Sequence, residues 1–511
     1  MIAAGGGPIA DGPAVITHPV GHSRQVPTPS QRPTVAIIGG GISGLAAAFF
    51  LRDQGAAVTV LEGSPRLGGK LAVSEVAGIS VDAGAEALLA RRPEGTDLIS
   101  AVGLAGQLVP AGTTAAAIWT RGSLHPLPRR QFMGVPADLG ELASSGILSP
   151  AGLARARDDL SLPPSPRDGD VPVATLVGER LGQELVDRLV DPLLGGVYAG
   201  RSGELSAEAT VPALAQAAQQ HPTLTEAAAS LLPAPDAARP ARPVFTTLAG
   251  GLGTLPPAVA AASGATVRTR AMTRELTRTV KGDSEGGMGR WGGGWRLTIG
   301  PTRAPEYLDA DAVILAVPAQ PASRLLAGVP GAEPAAAALG EIEYASMAIV
   351  TLAFPRESFP HPLQGSGYLV PAVDGRAVKA VTFSTVKWPH LRPGHAGLDV
   401  VRCSVGRVGE EGLLQRDDAE LARLAAADLA EVTGVRGIPA DARVSRWGGG
   451  LPQYTVGHLG RVARIRAGVA GLPGLAVCGA AYDGIGIPAC IASARLAADR
   501  VLEFLAAPAR R

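Results

Sequence analysis

Thr34-Val-Ala-Ile-Ile38 runs directly into Gly39-Gly-Gly-Ile-Ser-Gly44. The first five residues form a short, mostly apolar run of the kind that makes a buried parallel strand. The next six contain G-x-G-x-x-G. Leu45–Gln54 then reads as a helix closed by Gly55, and Ala57–Leu61 as a second strand with Glu62 at its end. A glycine motif in this strand–loop–helix context predicts a dinucleotide-binding unit. Gly39 permits the tight turn, Gly41 lets a pyrophosphate approach the backbone, and Gly44 lets helix and strand pack closely. The helix start, at Ile42 and Ser43, offers free N–H groups and a positive dipole end to the phosphates. Glu62 lies about 20 residues on, where a carboxylate accepts from ribose hydroxyls and repels a 2′-phosphate. FAD or NAD is therefore favoured over NADP.

The next segment separates these two. Glu62-Gly-Ser-Pro-Arg66-Leu-Gly68-Gly69-Lys70-Leu71 is a second glycine-rich loop with two cations, and Asp82-Ala-Gly84-Ala-Glu86 follows. An NAD domain does not need a second such loop, whereas FAD extends past its pyrophosphate to the flavin. Lys70 is the one candidate for an electrostatic catalytic role, since a positive charge near the flavin stabilises its reduced anionic form. No nucleophile triad or clear acid–base pair emerges, as expected where the cofactor carries the hard chemistry.

The whole chain agrees with a large folded enzyme. Its 511 residues, 46% of them apolar, suggest about two to four domains. The 46 basic and 45 acidic residues nearly cancel, which disfavours a nucleic-acid partner. Only four of the basic residues are Lys, and the excess of Arg suits an anionic ligand. Cys403, Cys478 and Cys490, with no CxxC spacing, argue against a disulfide scaffold or a structural zinc site, so no metal is expected and a reducing cytoplasm fits. Two uncharged stretches, Leu98–Thr120 and Pro243–Val267, are too interrupted to span a membrane. Peripheral membrane contact is left open.

The expected fold is α/β: a Rossmann-like FAD-binding domain assembled from discontinuous segments, a mixed-sheet substrate domain and a helical insertion. Residues 1–33 read as a disordered leader without signal-peptide character. The FAD-binding domain takes 34–95, 241–285 and 446–511, the substrate-binding domain 96–130 and 286–445, and the helical insertion 131–240. Within these, Thr175–Val190 and Ser206–Gln220 read as helices and Ser161–Asp170 as a loop. Pro233–Pro243 reads as a connector, and Lys281–Gly294 as a hairpin or flexible loop. Ala312–Val317 is a strand. An antiparallel sheet is expected from Ile349–Phe354, Gly367–Val370, Val378–Ser384 and Val400–Val405.

The two glycine loops, with E-x(3)-R-x-G-G-K between Glu62 and Lys70, resemble the flavin amine oxidase superfamily. Five further strings narrow the resemblance: Leu124-His-Pro-Leu-Pro128, Asp191-Pro-Leu-Leu-Gly-Gly-Val-Tyr-Ala-Gly200, Lys387-Trp-Pro-His390, Leu451-Pro-Gln-Tyr-Thr-Val-Gly-His458 and Gly479-Ala-Ala-Tyr-Asp-Gly-Ile-Gly-Ile-Pro488. Together they are similar to the FAD-dependent porphyrinogen oxidases of haem synthesis, above all the Gram-positive coproporphyrinogen III oxidase type, from about Thr34 to Leu505. The resemblance implies FAD contacts at Gly39, Gly41, Ile42, Ser43, Gly44, Glu62, Arg66, Gly68, Gly69 and Lys70. It also implies contacts at Val267 through its backbone, and at Gly479, Gly484, Ile485, Gly486 and Ile487.

The implied reaction removes six electrons from a porphyrinogen, two at a time, and passes them to molecular oxygen with release of peroxide. An arginine that holds a propionate in the eukaryotic protoporphyrinogen oxidases has no counterpart in Thr114–Ile118, which favours coproporphyrinogen III. Its four propionates would call for Arg91, Arg92, Arg129 and Arg130, with Tyr368, Phe383 and Tyr454 as candidate pocket walls. The competing readings are a protoporphyrinogen IX oxidase, a flavin amine oxidase, and a non-catalytic flavin-binding regulatory module. Docking to later haem-pathway enzymes is left open.

Overall fold

Five parallel strands form the nucleotide sheet, in the order Thr266–Arg268, Ala57–Leu61, Thr34–Ile38, Ala312–Leu315 and Leu475–Val477. In Thr34–Ile38, Val35 and Ile37 face a core under the helices Ile42–Leu51, Leu255–Ser263 and Ile487–Ala506. Ala36 and Ile38 face the opposite core, with Trp295, Leu297 and the helices Ala319–Leu326, Glu333–Gly340 and His458–Ala470. A strand covered on both faces has no polar side, so its sequence reads as an unbroken apolar run. The computed structural model describes residues 32–163, 169–233, 243–280, 293–392 and 397–507. The leader, the Pro233–Pro243 connector and the Lys281–Gly294 loop fall almost wholly outside these residues, and Ser161–Asp170 partly so.

Two expected boundaries move. Ala312–Leu315 lies in the middle of the nucleotide sheet, its four residues buried, so the FAD-binding segment that begins at 241 runs beyond 285. The antiparallel strands Thr273–Val280, Gly293–Ile299 and Glu306–Ala310 lie between and pack on the same core. At the other end, Asp441–Pro452 pairs along Tyr344–Pro355 and belongs to the substrate sheet, so the last FAD-binding segment begins after 452 rather than at 446. Chain proximity was a poor guide at both places because strand pairing is long-range.

The substrate sheet has seven strands, in the order Asp441–Pro452, Tyr344–Pro355, Leu398–Val405, Val378–Phe383, Gly367–Leu369, Ala117–Thr120 and Ser123–Pro126. One pairing, Gly367–Leu369 with Ala117–Thr120, is parallel and the rest are antiparallel, so the sheet is mixed. The helix Asp418–Thr433 covers one face, burying Val350, Phe354, Val381, Phe383, Cys403 and Tyr368. Alternate residues, among them Ala380, Thr382 and Ser404, lie on the other face and are only half-buried.

The insertion is helical around its own core. Its expected helices are broken up. Thr175–Val190 becomes Val173–Leu181, a break at Gly182 (φ +90°), and a π-helical turn at Val186–Val190. Ser206–Gln220 divides at Pro212, which lacks the N–H a helix interior needs. The helix Asp191–Tyr198 lies against the half-open sheet face, where a Cβ at Gly196 would meet Leu369 at 3.5 Å. Among the described residues no helix is long and apolar enough to cross a membrane.

Candidate active site

The three motif glycines have three different surroundings. Gly39 has φ +110°, and a Cβ there would sit 2.5 Å from the Ala316 carbonyl oxygen on the adjacent strand's end. A Cβ at Gly44 would collide with the Gly39 carbonyl oxygen. At Gly41 a Cβ would meet no protein atom within 4 Å. The outer two are thus required by the protein's own backbone, while the middle one borders open space. Gly41 is also the N-cap of Ile42–Leu51, and no side chain caps that end. Beside it, the Glu62 carboxylate accepts from the Gly40 N–H at 2.7 Å and the Ser64 N–H at 2.7 Å. Val267, on the edge strand, is in register with Val60, and the Glu62 N–H donates to the Arg268 carbonyl at 2.8 Å.

The second glycine loop stands against the first. The Gly68 N–H donates to the Gly40 carbonyl at 2.8 Å, and a Cβ at Gly69 would lie 3.4 Å from the Gly41 Cα. Arg66 holds this loop in shape: its guanidinium donates to the carbonyls of Leu67, Gly69 and Leu71. Lys70 reaches toward the Tyr344 ring, 5.9 Å from its centroid. Burial lowers the pKa of its amine, with Cys490 acting in the opposite direction.

The C-terminal turn completes the convergence. Gly479 (φ +130°) lies beside Ser43, whose Oγ would be 3.9 Å from a Cβ at that glycine. Gly486 is the N-cap of Ile487–Ala506, again without a side-chain cap, and Pro488 occupies the first turn. Ile485 packs against the core of the helical insertion. Two uncapped helix ends and two glycine loops therefore meet, and a helix N-terminus of this kind favours negative charge.

The half-open sheet face is joined to this region by one carboxylate. Glu86 Oε1 is 2.7 Å from the Lys387 amine, and Oε2 pairs with Arg402. Arg402 also donates to the Gly84 carbonyl at 2.7 Å, and the Trp447 indole N–H donates to the Ala83 carbonyl at 3.0 Å. Burial alone would raise the Glu86 pKa, but the two cations outweigh it and take it down to about 2. Asp82 behaves oppositely. Burial raises it to about 6, although the Leu252 and Gly253 N–H groups donate to its carboxylate.

The family profile described as flavin containing amine oxidoreductase matches residues 42–502. The coproporphyrinogen III oxidase of Mycobacterium tuberculosis is 38% identical, over 93% of this chain and 98% of that protein. That of Bacillus subtilis is 32% identical, over 92% and 98%. A solved structure from Exiguobacterium sp. assigned as a protoporphyrinogen oxidase is 31% identical, with a TM-score of 0.79 over 92% of this chain and 99% of that one. The chain belongs to the flavin-containing amine oxidoreductases, among their porphyrinogen oxidases.

FAD is the cofactor of this family, and the geometry fits it. The open space over Gly41, at an uncapped helix end, suits a pyrophosphate, and the Glu62 carboxylate lies beside it on the Gly40 N–H. Arg66 is occupied with its own loop's carbonyls. The substrate candidates are spread more widely. Arg91 and Arg92 are exposed, Arg92 pairing with Glu94 at 2.7 Å. They sit near the C-terminal helix, since a Cβ at Gly95 would lie 3.4 Å from Pro488. The backbone amides of Arg129 and Arg130 donate to Glu141, at the insertion's edge.

Tyr368 and Phe383 are a correction. They are 2% and 5% exposed, packed edge to face beneath the helix Asp418–Thr433, on the sheet face away from the cleft. Strand parity puts their neighbours Ala380, Thr382 and Ser404 on the cleft face instead. Tyr454 is likewise no exposed wall, being 1% accessible. The sequence reading quoted Lys387 without giving it a role and did not single out Arg402 or Ser404. A buried cation in an apolar strand such as Leu398–Val405 was the available signal for Arg402.

The glycine surroundings predict two distinct failures. Gly41→Ala folds normally but purifies largely without FAD, whereas Gly44→Ala lowers the stability of the apoprotein itself; flavin content and urea unfolding of the apoprotein separate the two. Glu86→Gln leaves the buried Arg402 and the half-buried Lys387 without their carboxylate and costs about 3 kcal/mol at pH 7. Glu86 has a folded pKa below its ordinary value of 4.5, so its contribution is present above that value and is lost as pH falls toward 2. The gap between wild type and Glu86→Gln in urea denaturation therefore narrows below about pH 4.5 and stays constant above it.

Proposed function

We propose that this protein is an oxygen-dependent coproporphyrinogen III oxidase of haem biosynthesis, forming coproporphyrin III in three two-electron steps. Each electron pair reduces one oxygen molecule to hydrogen peroxide. The observation that carries the reading is near full-length identity of 38% with the coproporphyrinogen III oxidase of Mycobacterium tuberculosis. Bound FAD supplies the hydride acceptor and the route to oxygen. The chain supplies position and charge. Gly39, Gly41, Ile42, Ser43 and Gly44 receive the pyrophosphate, Glu62 the ribose, and the Val267 backbone the adenine. Gly68, Gly69 and Lys70 face the flavin from one side, and Gly479 and Gly484–Ile487 from the other. The Lys70 amine and the N-terminus of Ile487–Ala506 both favour negative charge near the flavin. A cytoplasmic location fits the three free, buried cysteines.

The substrate is placed between the half-open sheet face, the helix Asp191–Tyr198 and the flavin edge. Arg91 and Arg92 flank the C-terminal helix there, and Arg is suited to planar, bidentate binding of propionates. Protoporphyrinogen IX is the second reading, favoured by the name borne by the Exiguobacterium relative.

Aerobic assays of the FAD-loaded protein on both porphyrinogens, followed by porphyrin fluorescence and peroxide, decide between them. Coproporphyrinogen III is expected to react with the higher kcat/KM. A preference for protoporphyrinogen IX overturns the substrate, and no porphyrin from either overturns the reading. Replacing Arg91 and Arg92 together by Ala is expected to raise KM for coproporphyrinogen III about tenfold, a change of roughly 1.4 kcal/mol. The flavin absorption spectrum should be unaltered.

A further inference from the structure

Tyr454 lies just past the last substrate-sheet strand, yet its contacts are with two other parts of the chain. Its hydroxyl donates to the Ala480 carbonyl at 2.6 Å and accepts from the Gly484 N–H at 2.8 Å. One oxygen atom thus closes the C-terminal turn across both its ends. Gly484 has φ +136°, and a Cβ there would lie 2.9 Å from that of Ala489, so the turn has little room to adopt another shape. Two residues later Gly486 begins the uncapped helix Ile487–Ala506. The position of the Tyr454 hydroxyl therefore sets where that helix end and Ile485 stand.

The ring is held as firmly as the hydroxyl. It stacks on His458 at 3.8 Å with planes 14° apart, and contacts Tyr198 of the insertion at 5.7 Å. His458 is fully buried, and its Nε2 faces the Tyr482 carbonyl at 3.3 Å, so this nitrogen carries the proton and donates. Burial lowers the His458 pKa to about 4, which keeps the ring neutral. On the insertion side, the Ser206 N–H donates to the Tyr454 carbonyl at 2.8 Å, and the Gln453 amide donates to the Tyr198 carbonyl at 2.8 Å. Leu205 and Thr455 form an isolated antiparallel bridge.

We infer that Tyr454 is a positioning residue that links the helical insertion to the flavin side of the site, so that occupancy of the cleft is transmitted to the flavin through its hydroxyl. This rests on the assignment of Gly479–Ile487 to the flavin. A substrate seated against Asp191–Tyr198 shifts or stiffens Tyr198, the ring it touches follows, and the two hydrogen bonds carry the shift to the turn.

The test compares wild type, Tyr454→Phe and Tyr198→Phe, each loaded with FAD. Tyr454→Phe keeps the ring packing and removes both hydrogen bonds, so FAD is expected to bind about tenfold more weakly, a change of roughly 1.4 kcal/mol. Coproporphyrin III, the product, serves as the probe of cleft occupancy. It is expected to perturb the flavin absorption band in wild type and Tyr198→Phe, and to leave it unchanged in Tyr454→Phe while still binding. A Tyr454→Phe protein with lowered thermal stability but wild-type FAD affinity and a wild-type perturbation has only a structural residue at this position, and the inference fails. If Tyr454→Phe does not fold, His458→Asn, which removes the ring beneath Tyr454, must reduce the perturbation or the inference fails. If wild type oxidises neither porphyrinogen, the functional reading falls, while the FAD-affinity comparison still judges Tyr454.

Discussion

The arrangement depends on a carboxylate that two cations share. Glu86 lies between the short strands Ile79–Asp82 and Leu88–Leu89, Lys387 ends the short helix Ser384–Lys387, and Arg402 comes from the substrate sheet. A charge this far from water is tolerated only when it is paired and its remaining lone pairs are used. Once Arg402 is also bonded to the Gly84 carbonyl, the segment carrying Gly84 cannot slide along the sheet without breaking several bonds together. The segment that follows Asp82 is therefore fixed against the substrate sheet through one shared carboxylate and one backbone carbonyl.

Local features of the sequence translated directly into structure. Gly39 is constrained by Ala316 of a distant strand, but Gly41 and Gly44 stand in the surroundings their spacing implied, because the reasons for them lie within a few residues of chain. The same holds for Glu62 at the end of its strand and for Pro488 in the first turn of its helix. Features that depend on distant pairing were not legible. Glu86 and Arg402 are 316 residues apart, and no periodicity joins them. Tyr368 and Phe383 were sound choices as aromatic residues in the right sheet, but a strand sends alternate side chains to opposite faces, and only the position of Asp418–Thr433 reveals which face is covered. The boundaries near 285 and 446 failed for a related reason, since a strand's sheet is chosen by its neighbours in space.

The site has few groups with protonation tuned for catalysis, and this suits a reaction whose difficult step belongs to the flavin. Its titratable groups divide by burial and partner. Glu86 is held ionised and Asp82 is pushed toward its neutral form by burial, and His458 is kept neutral. Glu86 and His458 therefore keep their charge states across the neutral range, whereas Asp82 titrates just below it.

The order of the nucleotide sheet has a consequence for biosynthesis. The strand Leu475–Val477 and the helix Ile487–Ala506 supply one wall of a site whose opposite wall is made at Gly39–Gly44. A ribosome delivers Gly39–Gly44 long before it delivers Leu475–Ala506. Early glycine loops must wait, exposed, while the substrate sheet and insertion emerge between them. Grip on the cofactor is therefore a post-translational event, and a chain truncated even shortly before Gly479 would carry the whole fingerprint yet leave half of the cradle unbuilt.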